Sequence, residues 1–267
     1  MESAKKMPDI LDLKLFDSCM TFGTFTHTGC HERITRENVI NVLDRYGIAE
    51  ALVHEPHARA IHPRNDGNRR LLESIEGLPR LHPVWVIEPP RQTGPRHAKK
   101  AVDELLEAKV RAARLPMKAL PPFLFVWEDL LSELESHRLP CFCDFGGVST
   151  VGAMSDNDVR GIYEIEQAHP DLPLIMSGVM GGLGVHPAVP PLVRRVSNVM
   201  MDIAGIMDFW RKIAVEVNPE KILFSTGAPF TDPGLFIANI QYDHLLNDDA
   251  KRLICGGNLR NLMEAVQ

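Results

Sequence analysis

Seven side chains combine reactive chemistry with a place at or just beyond the end of a short apolar run: Cys19, His54, His57, Glu88, Arg114, Asp144 and His186. Asp144 has the chemistry of a general acid or base, with His54 or His57 assisting it. Cys19 could serve as a nucleophile if a nearby base formed its thiolate, and His54 is the available candidate. The guanidinium fork of Arg114 matches a carboxylate. Glu88 follows the third run near Trp85, and His186 lies in the glycine-rich stretch GVMGGLGVH, where either could line a substrate mouth. Each assignment has a plainer counterpart. Cys19 can simply fill space, His54 can be a hydrogen-bonded residue at a strand end, and Arg114 can be a buried partner of Asp144.

Metal chemistry is sparsely supported by these residues. A catalytic zinc site needs about three protein ligands plus an open position, and Cys19, His54 and Asp144 would be a chemically possible set. HTGCH holds His27, Cys30 and His31 at ligand-like spacing, but no second half of a zinc motif lies nearby. Cys141 and Cys143 alternate with Asp144, so a lumen-facing Asp144 turns both thiols toward a helix layer, where cysteine acts as a small hydrophobe. GVMGGLGVH fits neither G-x-G-x-x-G nor a phosphate-binding loop. Its glycines suit a tight turn. No cofactor is therefore expected.

The elements that must position these groups alternate along the chain. Short apolar runs at 13–18, 50–54, 81–87, 110–115, 140–144, 173–178, 199–204 and 221–226 are separated by segments of helical period. That alternation is the pattern of a parallel α/β architecture, and eight strand–helix pairs fit a closed (β/α)8 TIM barrel. Thr35 can cap a helix whose apolar face carries Val39, Ile40, Leu43 and Tyr46, and Gly47 can stop it. Ser155 or Asp156 can open a second helix that runs to about 168, before His169-Pro170.

A chain of 267 residues, 45% hydrophobic and 24% charged, can bury a full core, and a single domain over 1–267 is the simplest count. No apolar run approaches bilayer length, which points to a cytoplasmic protein with no membrane partner. Five cysteines argue for reduced thiols rather than a disulfide framework. A net charge of −6 argues against nucleic acid, and Arg64, Arg69, Arg70, Arg194 and Arg195 read as solvated helix faces. Homo-oligomerisation is a base-rate expectation.

In order and spacing, five segments resemble the amidohydrolase superfamily, in particular its amidohydrolase-related branch. FDSCM stands where that family has D-x-H-x-H, and LPCFCDFGG where it has an apolar strand ending in His. HPDLPLIMSGVMGG is similar to its F-P-D-L…H-x-G-G segment, KILFSTGAPF to R-I-L-F-G-S-D-x-P-F, and GGNLRNLME to its closing helix. The resemblance implies a barrel with a metal-dependent site at the C-terminal ends of its strands. Yet Cys19, Thr21, Asp144, Gly178 and Gly227 occupy the positions of the family's ligands and of its last-strand aspartate. Metal binding lowers the pKa of water from about 15.7 to about 7, roughly 12 kcal/mol of activation, and glycine offers no substitute. The expected function is a metal-independent hydrolase or lyase acting on a small, carboxylate-bearing molecule. The alternative is a non-catalytic barrel that binds a small ligand or a partner protein.

Overall fold

The structure is a computed structural model that describes residues 9–27, 30–56, 58, 64–90, 94–146, 154–178, 180–181, 184–206 and 210–267. Within it the barrel strands are β1 (Leu15–Thr21), β2 (Ile48–His54), β3 (Leu81–Pro83, resuming at Trp85–Val86), β4 (Ala113–Leu115), β5 (Cys141–Asp144), β6 (Leu174–Ser177), β7 (Val199–Asp202) and β8 (Ile222–Leu223). Successive strands pair in parallel from β1 to β2, β2 to β3, and on through β8. Backbone bonds from Ser18 N to Phe224 O (3.0 Å) and from Gly227 N to Cys19 O (3.1 Å) join the chain after β8 back to β1. This is the (β/α)8 arrangement expected from the alternating runs.

Between the strands run α1 (Arg36–Tyr46), α2 (Arg64–Ile75), α3 (Pro95–Glu107), α4 (Leu124–Ser136), α5 (Asp156–Ala168), α6 (Val189–Arg195) and α7 (Trp210–Glu216); α8 (Pro233–Gln241) follows β8. The chain ends in α9 (Asp248–Arg252), a π-type turn at Leu253–Gly257 and α10 (Asn258–Glu264). Local chemistry explains their limits. Thr35 Oγ1 accepts from Asn38 N while Asn38 Oδ1 accepts from Thr35 N, a reciprocal cap, and Gly47 ends α1 at φ 64°. Val39 and Leu43 of α1 are buried, with Ile40 and Tyr46 packed at the edge of the same core. Ser155 rather than Asp156 caps α5.

Two features depart from the sequence reading. β1 starts at Leu15 because Leu13 belongs to a 3-10 turn and Lys14 takes a positive φ of 47°. A β-hairpin, Gly23–His27 with Cys30–Ile34, follows β1. Of HTGCH, His27 pairs opposite Cys30 and His31 opposite Thr26, while Thr28 and Gly29 lie outside the described residues. Among the described residues, no helix is long and apolar enough to cross a membrane.

Candidate functional site

Each strand or its immediate extension sends one residue into an apolar layer inside the barrel: Phe16, Leu52, Val84, Ala112, Phe142, Ile175, Met200 and Leu223, with Leu259 of α10 closing it from below. Side chains two residues apart share a face of a strand. The layer above, toward the C-terminal ends, therefore contains His54, Arg114, Asp144, Ser177, Asp202 and Ser225, all buried. A polar tier stands on an apolar floor.

β1 breaks the rule and gains from it. From Phe16, strict alternation would turn Cys19 outward. The β1–β2 register pairs Asp17 with Ala51 but Met20 with Val53, three residues against two, and this irregularity reverses the parity. Met20 then joins the outer core, Cys19 interacts electrostatically with Arg114, and Thr21 Oγ1 lies 3.4 Å from His54 Nε2.

At the centre of the tier Arg114, only 1% exposed, reaches Asp144 Oδ2 at 3.5 Å through Nη1 and lies 5.3 Å over the Phe142 ring. Asp144 Oδ1 accepts from Gly146 N at 3.2 Å. Burial alone would lower the Arg114 pKa, but the charges of Cys19, Asp144 and Asp202 raise it above its ordinary value. Its Nε and Nη2, together with Ser225 Oγ, are buried without a hydrogen-bond partner among the described residues. Such groups cost about 1–3 kcal/mol each while unsatisfied.

Two further carboxyls complete the tier. Asp202 accepts from Ser177 Oγ and from Ala204 N, and burial pushes its pKa up to about 6 against those bonds and the nearby Arg114. Asp17 accepts from Thr226 Oγ1 and from the amides of Thr226 and Cys19, yet burial raises it to about 7. Neither was among the candidates read from the sequence, nor were Ser177 and Ser225. The available signal was a polar residue breaking an apolar run: Asp202 in VMMDIA and Ser177 in PLIMSG.

The structure thus gathers Cys19, His54, Arg114 and Asp144 at one end of the barrel. His186 Nε2 lies 3.3 Å from Asp156, the first residue of α5. Glu88 is half-buried two residues beyond β3. His57 lies outside the described residues. Gly178 needs correction. Ser177 is the β6 residue that puts a side chain into the tier, whereas Gly178 has φ +70° and a Cβ there would meet Gly146 N at 2.6 Å. Gly227, at φ +67°, donates its amide to Cys19 O and contributes no side chain. Cys141 and Cys143 face the outer core, and burial raises both thiols well above their ordinary pKa. Among the described residues, no group of three or more His, Cys, Asp or Glu is arranged to hold a metal ion.

Solved structures share this architecture. 5-Carboxyvanillate decarboxylase from Sphingomonas paucimobilis superposes over 96% of this chain and 100% of its own, with a TM-score of 0.71 and 14% identity. A 2,6-dihydroxybenzoate decarboxylase from Rhizobium covers 94% and 99%, with 0.70 and 14%. A dihydroxybenzoic acid decarboxylase from Polaromonas, with bound manganese and the inhibitor 2-nitroresorcinol, covers 94% and 96%, with 0.66 and 15%. At such identities the likeness is one of fold. No curated protein sequence matches the chain. The sequence model of the amidohydrolase family matches residues 44–262, from the end of α1 into α10, and the chain belongs to that family.

Proposed function

We propose that the polar tier is a metal-independent site of the hydrolase or lyase class, acting on a small molecule that bears a carboxylate. The observation that supports this most is the Arg114 guanidinium, fully buried at the C-terminal end of the barrel with two nitrogens unpartnered among the described residues. A permanent cation with spare donors in a low-dielectric setting suits an anion. Ser225 Oγ adds a hydroxyl on the same face that is likewise unpartnered among the described residues.

A divalent cation fits this donor set poorly. Thr21, Ser177 and Gly227 offer weak donors or none, and the Asp144 carboxylate already faces a guanidinium. In this reading Arg114 orients the substrate carboxylate. Asp144 and Asp202, on adjoining parts of the tier, hold and return the proton that moves, and His54 assists from the end of β2. An Asp202 pKa near 6 suits proton exchange close to neutral pH. The decarboxylases that share the fold make a carboxylate-bearing substrate a reasonable first class to screen.

The alternative, a barrel that binds without turning over, draws on Gly227, which leaves β8 with no acid or base at the position where the resemblance expects one. Turnover of a panel of small carboxylates, esters and lactones separates the two. Catalysis predicts a substrate whose rate falls about a hundredfold or more in Asp144→Ala and His54→Ala. Unchanged turnover in both variants removes the assignment. Binding without turnover across the panel selects the alternative.

A further inference from the structure

Beside the tier lies a cavity. It has a volume of about 350 Å³ and is walled by Met20 and Thr21 at the end of β1, Ile34 at the end of the hairpin, Asn38, Val39 and Val42 of α1, and Pro229 after β8. The size lies within the range of small-molecule pockets, roughly 300–1,000 Å³. Its walls are mostly apolar, with few polar groups. Nothing in the proposed chemistry of the tier uses it.

Thr21 borders both the cavity and the tier. Its side chain lines the cavity, and its Oγ1 is 3.4 Å from His54 Nε2. The other polar wall is Asn38, whose Oδ1 is taken by the amide and hydroxyl of Thr35. The amide NH2 is therefore the Asn38 group left to face a ligand. The cavity thus pairs an apolar wall with a hydrogen-bond donor and a hydroxyl, one of which borders the tier.

We infer that this cavity is a specificity subsite for the apolar arm of an amphipathic carboxylate, an aryl or branched-alkyl group whose acid end lies at Arg114. The inference rests on the reading of the tier as a carboxylate site and extends it from a charge to a substrate class. A short polar acid would leave the cavity unused. An acid with an arm of suitable length would bury that arm on Val39, Val42 and Ile34, and each methylene removed from water is worth about fourfold in affinity.

Calorimetric titration of the full chain with acetate, phenylacetate, 3-phenylpropanoate and 4-phenylbutanoate tests this. The expected result is an optimum at one spacer length, binding at least tenfold tighter than acetate. Val42→Phe, which fills the cavity from its half-buried edge, should collapse the ratio of phenyl acid to acetate affinity toward one. Val42→Ala should move the optimum toward a bulkier arm such as naphthylacetate, a gain that a misfolded variant would not show. If acids bind through Arg114, as judged by loss in Arg114→Met, but with no dependence on the arm or on Val42, the subsite is wrong and the carboxylate reading stands. If none of the acids binds wild type, or if Arg114→Met binds them equally well, the reading of the tier fails and the subsite with it.

Discussion

The two ends of the barrel handle buried charge in opposite ways. At the N-terminal end Glu50 accepts from Arg260 at 2.7 and 3.1 Å and pairs with His82 at 2.9 Å; burial would raise its pKa, but these partners bring it below the ordinary value. Lys221 Nζ donates to the carbonyls of Val196, Ser197 and Val199, and Asn258 Nδ2 to those of Pro219 and Ile222. At the C-terminal end Asp17 and Asp202 are pushed up, and Arg114 keeps two nitrogens unpartnered among the described residues. These charges at the bottom are paired, whereas at the top burial leaves two raised carboxyls beside a guanidinium with spare donors among the described residues. In such barrels, conserving bonds at the bottom serves stability, while unsatisfied polarity at the top is where ligands act.

Arg114 is the sharpest place to break this contrast. Arg114→Met leaves Asp144 buried without its cation, and chemical denaturation should show a loss of about 3–5 kcal/mol together with loss of carboxylate-induced thermal stabilisation. A loss of stability with ligand binding intact would make Arg114 a purely structural partner.

pH separates the ends by sign. Folded Asp17 and Asp202 hold protons at pH values where the unfolded chain has released them, since their pKa values of about 7 and about 6 exceed 3.8. Their contribution to stability therefore falls as pH rises from about 4 to about 7. Asp202→Asn, which keeps an acceptor for Ser177, should flatten the part of that fall up to pH 6. It should gain on the order of 3 kcal/mol at pH 7 and above while abolishing turnover. Glu50 acts in the opposite direction, because its lowered pKa gives stability above the ordinary carboxylate range that is lost as the medium becomes more acid. Glu50→Gln should therefore weaken the protein at neutral pH and leave it little changed in acid, as followed by thermal melting at each pH.

A smaller effect belongs to the bottom alone. Asn258→Ala removes the donor to two carbonyls, and denaturation should register about 1–3 kcal/mol. Carboxylate affinity should be unaffected. The smallest is the α1 cap: Thr35→Ala should cost about 1 kcal/mol, again without touching the tier.

Much of this was legible in the chain. The apolar runs located all eight strands, the cap Thr35 and the stop at Gly47 followed from local chemistry, which left the α5 cap open between Ser155 and Asp156, and Cys19, His54, Arg114 and Asp144 were picked out by their places at strand ends. Asp202 and Ser225 were not legible as site residues because each lies inside an apolar run, VMMDIA and KILFST, at a position the family resemblance does not mark. Ser177 was missed through a one-residue error of face at Gly178. The hairpin after β1 was missed because Gly23–Ile34 is polar and alternates weakly.

What the sequence by itself determined is the alternation of buried strand and amphipathic helix, and the presence at Thr21 and Gly227 of residues that are weak metal donors or none. Both are properties of single positions or of a period within one segment. Only the tertiary structure decided which polar residues share a tier, that the β1 irregularity turns Cys19 inward, and that Thr21 borders both the tier and a cavity against α1. The physical reason is that a two-residue period fixes facing within a strand, whereas height along the barrel depends on stagger between strands and on bulges, which pairing across the closed sheet alone establishes.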